Sequence, residues 1–312
     1  MLGVWRLQLL REVESRGSIK AAAEAMCISS SAVSQQLAIL EREAGTTLLE
    51  KHGRRVRLTD AGMLLVRHAH IITGAIAAAE ADLASVMNRV AGTLRVAAFP
   101  TAARAVMPQA ITAVSRLYPT LRITLRDLEA TESIEALRLD EIDLAIVDEY
   151  PNSPLDLGDE LDARYLFDDP LYVASMSVQP GAGPMRLAQL HDAFWIMDTE
   201  SSRFFQAVVH ACRASGFDPQ IRANCKDFGV ILALVEEGLG VGILPGLALR
   251  DRSIRASVSL TAPALARRIA AAIRPERRNH PAIDFMLSEL GRFGSGYAAR
   301  FESLPTALPL AQ

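Results

Sequence analysis

Cysteine is scarce in this chain of 312 residues: Cys27, Cys212 and Cys225 are odd in number and far apart. No disulfide framework or zinc-ligand spacing can be drawn from them, and a reducing cytoplasm is the compartment they suit. Long apolar runs are missing as well. The most apolar stretch, residues 228–249, is interrupted by Glu236, Glu237 and Pro245, which argues against a membrane span. The opening MLGVWRLQLLREVES places charges where a secretory leader needs an unbroken apolar segment. A soluble, cytoplasmic protein without a membrane partner is therefore expected. Catalytic signatures are absent too: there is no P-loop, no GxSxG and no HExxH, and Gly240, Gly242 and Pro245 fail the dinucleotide pattern at its third glycine. His191-Asp192 lacks a nucleophile, and Asp168-Asp169 and Glu236-Glu237 read as solvated pairs. Neither enzymatic activity, a cofactor nor a metal is expected.

What is present is charge with an uneven distribution. The formal net charge is −3. Residues 1–58 hold nine Lys/Arg against six Asp/Glu, whereas residues 93–312 hold 22 against 27. A mildly basic head on an acidic body fits a nucleic-acid contact confined to the head.

The head has the pattern such a contact requires. Trp5, Leu9 and Val13 recur at helical spacing, and Gly17 stops that helix. Ser18 is placed to cap a second helix through Ala21, Ala22, Ala23 and Met26. After a short turn, SSSAVSQQLAILEREAG sets Val33, Leu37 and Leu40 on one face and Ser30, Ser31, Ser34 and Gln35 on others. Two short helices joined by a tight turn make a helix-turn-helix, whose second helix offers hydroxyls and amides to base edges. TTLLEKHGRRVRLTDAG then reads as a small β-hairpin with Arg54, Arg55 and Arg57 at its tip, suited to phosphates or a minor groove. Each piece alone has a duller reading, as a helix cap or solvated surface; their order and spacing together favour the DNA-binding one.

These residues carry a resemblance. GSIKAAAEAMCISSSAVSQQLAILEREAGTTLLEK followed by RRVRLTDAG resembles the DNA-binding head of LysR-type transcriptional regulators, nearly continuously over residues 5–62. Members commonly carry Gln and then Pro or Ser where Ser30 and Ser31 stand, and often an aromatic residue at Leu49 and Arg at Lys51. The Ser30 departure bears on base preference, not on fold. The resemblance implies Ser30, Ser31, Ser34 and Gln35 as groove readers and Arg54 and Arg55 as wing contacts.

Thr59 is placed to cap a long helix over residues 60–88. Its apolar positions fit a heptad, with Ala69, Ile76, Leu83 and Val90 in one row and Leu65, Ile72, Ala79 and Val86 in the other. Leu65, Ile72, Ile76 and Leu83 are the expected dimer contacts, giving a homodimer that presents two reading helices to an interrupted palindrome of double-stranded DNA. A surface helix packed on its own chain is the alternative. The resemblance favours a linker and dimerisation helix and implies dimers of dimers.

From residue 91 the pattern changes to alternating strands and helices, the mark of an α/β sheet. TLRVAAF, LRITLRDL and IDLAIVDE read as strands, with helices from Thr101 to about Leu117 and around residues 133–139. A second unit begins near DDPLYVASM; ARRIAAAIRP reads as a return strand and residues 282–293 as a last helix. The expected fold class is a multidomain α+β and α/β chain: a winged helix-turn-helix (1–59), the linker helix (60–90) and a two-lobed effector domain (91–295). Lobe I would span about 91–166 and 269–295, lobe II about 167–268, and residues 296–312 a loose tail. IDLAIV and EGLGVGILP also resemble the LysR-type effector domain, with its periplasmic-binding-protein-like lobe pair. Ligands in such sheets bind at strand carboxyl ends, between the lobes. Thr101, Ala102 and Thr131 on one side and Thr199, Ser201 and Ser202 on the other are the candidate effector contacts, and free N–H groups at helix starts favour an anion. For each hydroxyl, plain helix capping is the competing reading. Two other functions compete. A transport-type solute-binding protein explains the lobes but not the head, and an enzyme with a DNA-binding head needs a catalytic constellation that is not found.

Overall fold

The computed structural model describes residues 1–52, 55–86, 90–177, 183–250 and 253–303, and of some helical and strand residues the backbone alone. In the head, α1 (Val4–Arg16), α2 (Ile19–Ala25) and α3 (Ser30–Ala44) enclose a core of Leu7, Leu10, Val13, Val33, Leu37 and Leu40. Ser18 caps α2 through the Ala21 N–H at 3.1 Å, and Ser29 caps α3 through Ala32 at 3.1 Å. Leu9 and Val13 face the core as expected, but Trp5, one turn earlier, is 43% exposed. The wing is an antiparallel hairpin of β1 (Leu49–His52) and β2 (Arg55–Leu58), with Leu49 opposite Leu58. Glu41 on α3 fixes it, its Oε1 accepting from the Leu48 and Leu49 N–H groups at 2.8 and 3.1 Å.

Thr59 caps α4 (Asp60–Val86) through the Gly62 N–H at 3.0 Å. The first turns of α4 complete the head core, where Val66 and Ala69 are buried and Leu65 is partly buried. Arg11 on α1 donates to Thr73 Oγ1 at 2.7 Å. The expected heptad is therefore corrected at three places. Ala69 and Leu65 turn towards α1 instead of a free seam, and Val90 lies beyond the helix in the core of the next domain. Among the described side chains of α4, the large apolar ones exposed are Met63, Leu64, Ile71, Ile72 and Ile76, Ile71 being 65% exposed. The Leu83 side chain lies outside the described residues.

The body is built from β3 (Gly92–Ala98), α5 (Pro100–Ala105), α6 (Met107–Leu117), β4 (Leu121–Asp127), α7 (Ala130–Arg138), β5 (Leu144–Glu149), β6 (Asp162–Ser175), β7 (Met185–Arg186), β8 (Phe194–Met197), α8 (Arg203–Ala214), β9 (Gln220–Asn224), α9 (Phe228–Glu236), β10 (Gly242–Pro245), α10 (Gly246–Leu249), β11 (Ser257–Ala262), β12 (Ala266–Ile273) and α11 (Pro281–Ser303). Lobe I is a sheet in the order β4-β3-β5-β12-β6, parallel among β3, β4 and β5 and antiparallel at β12. The strand β6 does not stop there. Residues 162–170 pair with β12, and residues 171–175 pair with β10 and β11 of lobe II. β6 is thus one crossover, the chain returns to lobe I between β11 and β12, where the Leu171 N–H donates to the Leu265 carbonyl, and a boundary at 167 falls inside β6, with Phe167 in the lobe I core. Lobe II adds the parallel pair β8-β9 and its own aliphatic and aromatic core around Trp195.

Two expectations are corrected by packing. The helix expected over 101–117 is two, because the backbone kinks at Val106 (φ −122°, ψ −46°) and Pro108 opens α6. The expected tail at 296–312 belongs in part to α11, which runs to Ser303 and buries Tyr297. Gly294 makes this possible: a Cβ there would lie 2.7 Å from the Phe167 ring, so the glycine admits the aromatic cluster of Phe167, Phe293 and Tyr297. Residues 304–312 lie outside the described residues. No helix among the described residues is long and apolar enough to cross a membrane.

Gly62 is the tightest point between helix and wing, since a Cβ there would lie 2.2 Å from the Leu48 carbonyl oxygen. Gly62→Ala is expected to destabilise the chain by about 1–3 kcal/mol through overpacking. Gly291→Ala, where a Cβ meets nothing within 4 Å, is expected to be neutral or slightly stabilising. Thermal unfolding of the two variants beside the parent checks the contrast.

Candidate functional site

Two surfaces concern function. On α3, Ser30, Ser31, Ser34 and Gln35 are all exposed, opposite the buried stripe of Val33, Leu37 and Leu40. The cap is Ser29, so none of the four is needed to start the helix. Ser34 Oγ donates to the Ser30 carbonyl at 2.9 Å and Ser31 Oγ shares a hydrogen with Ser29 Oγ at 2.9 Å, which leaves lone pairs facing outward. Arg54 lies outside the described residues. Arg55 begins β2, with its side chain likewise outside them.

The second surface is a cavity of about 700 Å³ between the lobes. Four helices start at it, α5 and α7 from lobe I and α8 and α9 from lobe II, because each follows a strand whose carboxyl end opens there. Of the expected contacts, Thr101, Thr131, Thr199, Ser201 and Ser202 line this cavity. Ala102 does not; one residue further along α5, its methyl turns into the lobe I core. Three of the hydroxyls are engaged: Ser202, as the competing reading held, Thr101, and Thr199, whose Oγ1 donates to Asp198 at 3.4 Å. Ser202 caps α8 through the Phe205 N–H at 2.9 Å, and Thr101 Oγ1 accepts from Arg267 at 2.6 Å.

Arg267 is the residue that sequence reading missed. It sits on β12, 2% exposed, with every guanidinium nitrogen occupied. Nε donates to Asp169 at 2.9 Å, Nη1 to Asp148 at 3.0 Å and Nη2 to Thr101, while the group lies 4.7 Å over the Phe99 ring. Asp169 also accepts from Tyr297 Oη at 2.6 Å and from the Leu247 N–H at 3.0 Å, and Asp148 accepts from Tyr150 at 2.9 Å. Burial opposes the charge on Arg267, but Asp169, Tyr150 and Asp148 outweigh it and raise its pKa. The reading of Asp168-Asp169 as a solvated pair is corrected for Asp169, which is 0% exposed; strand alternation turns one carboxylate out and its neighbour in. An aspartate, and an arginine one strand away, inside otherwise apolar strands were the signal available.

The rest of the charge lies on the cavity wall. Glu129, Glu132, Asp148, Asp198 and Asp227 face Arg104, Arg203, Lys226 and Arg267. Glu129 and Asp227 are the caps of α7 and α9, so at two of the four helix starts a carboxylate already occupies the place of an anion. Arg203 donates to the Ser153 hydroxyl and carbonyl and to the Asp148 carbonyl, and Arg104 to the carbonyls of Leu247 and Ala248. The expectation of an anionic ligand, which rested on free helix starts, is not supported by this lining. Desolvation in the cleft, with Asp148, Asp198 and Asp127 nearby and Lys226 only partly offsetting them, pushes the Glu129 carboxyl up to about 7.

That shift has a consequence for stability. A carboxyl raised in the folded chain contributes stability at low pH, which is lost as pH rises from about 4.5 through about 7. Glu129→Gln removes this dependence and keeps an oxygen to cap α7. The melting temperature of the variant is expected to gain on that of the parent from about pH 5 to about pH 8 in scans without added ligand, and parallel curves would contradict the assignment.

Comparison with known proteins agrees with this arrangement. Residues 5–63 match the family of bacterial regulatory helix-turn-helix proteins, lysR family, and residues 88–293 match the LysR substrate binding domain. The transcriptional dual regulator GltC of Bacillus subtilis is 27% identical over 258 residues, covering 82% of this chain and 84% of its own. A probable hydrogen peroxide-inducible genes activator of Mycobacterium leprae is 29% identical over 272 residues, covering 84% and 85%. Among solved structures, full-length OxyR of Pseudomonas aeruginosa superposes with a TM-score of 0.67 at 22% identity over 93% of this chain and 95% of that one. CbnR in complex with its target DNA superposes with a TM-score of 0.54 at 21% identity, over 93% and 99%. With both of its domains matched in order, the chain belongs to the LysR family of transcriptional regulators.

Proposed function

We propose that this chain is a cytoplasmic regulator that reads double-stranded DNA with α3 and the wing, and that a small molecule in the interlobe cavity sets its activity at the promoter. The observation that carries the DNA reading is the polar, exposed row of Ser30, Ser31, Ser34 and Gln35 on a helix whose opposite face is locked into the head core. Ser30, Ser34 and Gln35 would contact base edges, with Ser31 beside them, and Arg54 and Arg55 would hold phosphates from the wing. The exposed stripe of Ile71, Ile72 and Ile76, with Leu83 further along, would meet the same stripe of a second copy and place two heads on an interrupted palindrome; dimers of dimers extend that arrangement. Leu65 would contribute less, being partly buried in its own head. Thr131 and Ser201 are the hydroxyls best placed to meet an effector, with Thr199 weakly bonded to Asp198 and Thr101 and Ser202 tied into the protein.

Effector control requires that the ligand favour one arrangement of the lobes over another. Because β6 runs through both lobes and pairs with β12 in lobe I, closure of the cavity would bend β6 against β12, which leads into residues 275–277 beside α4. Peroxide sensing by a thiol, which the name of the Mycobacterium leprae relative as a probable activator of hydrogen peroxide-inducible genes brings to mind, is not part of this reading. Cys212 is buried in the lobe II core, where desolvation pushes its thiol up to about 12, and Cys225 packs against a different cluster. A thiol held in that state is a poor nucleophile towards peroxide.

The test is an anisotropy titration of the full chain against DNA flanking its own gene, at several salt concentrations and with competitor DNA. Specific binding that survives competitor and falls steeply with salt is expected. Ser34→Ala is expected to change base preference, whereas Arg54→Ala weakens binding to every sequence and reduces the salt slope by about 1. Equal losses on all sequences for both variants would contradict the division between reading helix and wing.

A further inference from the structure

The chemistry of the cavity wall narrows the class of its ligand, taking as given that the cavity is the effector site. Hydrogen-bonding capacity, more than net charge, decides the matter. Each nitrogen of Arg203 and of Arg267 already donates to a protein oxygen, which ties both guanidiniums into the protein and leaves at most one N–H on each Nη for a ligand. The carboxylates are in the opposite condition. Glu129 from lobe I and Asp198 from lobe II take part in no ion pair among the described residues. Asp198 is 8% exposed and accepts only from neutral donors, chiefly the Thr199 N–H at 2.7 Å. Asp198 is thus a buried carboxylate with no cation in ion-pair contact, offset only from a distance by Lys226, and a ligand that brings an ammonium to it and to the more exposed Glu129 lowers that cost.

A second, independent feature lies beside them. Phe204 and Phe228 both line the cavity and meet edge to face with ring centroids 5.0 Å apart. Aromatic faces next to carboxylates are the environment in which an ammonium group is held by ring quadrupole and charge together.

We propose that the effector carries a protonated amine, held between the Glu129 and Asp198 carboxylates of the two lobes and against the Phe204–Phe228 wall. Since the two acids belong to different lobes, an ammonium between them draws the lobes together, and this links the ligand class to closure. Lys226, exposed at the rim, is the cation left to meet an acidic group elsewhere on the same molecule.

Three probes of one skeleton test this by calorimetry and thermal shift on the full chain: 2-phenylethylamine, phenylalanine and 3-phenylpropanoate. The first two are expected to bind and raise the melting temperature, and the third to do neither. Glu129→Gln and Asp198→Asn are each expected to weaken the amine by about tenfold or more. Both substitutions are nearly isosteric, so an unaltered circular dichroism spectrum and an unliganded melting temperature no lower than the parent's would show that they fold. Binding of 3-phenylpropanoate as tight as that of the amine, no binding by any of the three, or amine affinity indifferent to both substitutions would overturn the proposal. Amine binding that meets these expectations but leaves the promoter complex unchanged would uphold the ligand class and fault the effector-site reading instead.

Discussion

A guanidinium held between two carboxylates, out of water, at the place where the chain crosses between its lobes is the constraint around which the body of this protein is arranged. Arg267 and Asp169 face one another across the β12–β6 ladder, and Asp148 reaches the same guanidinium from β5. Thr101 on α5, Leu247 on α10 and Tyr297 on α11 complete the cluster. Elements from both lobes and the last helix thus converge on one charge. Such a cluster contributes little net stability over an apolar equivalent, yet it tolerates few alternative geometries, because any member left unpaired carries the full desolvation penalty.

The cavity follows from that arrangement. With Arg267 at its floor and its donors occupied, the wall chemistry passes to the helix starts above it. Those starts are capped by Glu129, Ser202 and Asp227, residues whose first task is to satisfy backbone N–H groups. Capping and cavity lining therefore fall on the same side chains, and four helices opening on one crevice concentrate carboxylates there. The head is held by different means. Apolar packing of α1 on α4 fixes its core, and Glu41 on α3 ties that helix to the wing through the Leu48 and Leu49 N–H groups.

The head was nearly all legible in the sequence, because its signals are local: a serine before α2 and before α3, a stripe at Val33, Leu37 and Leu40, and a glycine between two short strands. The strands and helices of the body were legible for the same reason, as were the hydroxyls at the strand ends. The rest depended on contacts distant in sequence. Nothing near Ala69 says that it faces α1 and not a second copy. Nothing near Gly294 says that Phe167, on a strand far earlier, needs the space a side chain would take. The Arg267 cluster joins residues 101, 148, 169 and 297, and only strand pairing together with the packing of α5 and α11 brings them together. A single buried charge in an apolar strand marks such a cluster in principle, but its partner cannot be named until the register is known.

The most direct test of this account is the unfolding free energy of Arg267→Met in urea, measured on the full chain. Removing the guanidinium while keeping its volume leaves Asp148 and Asp169 uncompensated, and a loss of about 3–5 kcal/mol is expected, recovered in part by adding Asp169→Asn. A loss below about 1 kcal/mol, or none recovered in the double variant, would mean that the charge cluster does not organise the crossover and that apolar packing alone holds the lobes.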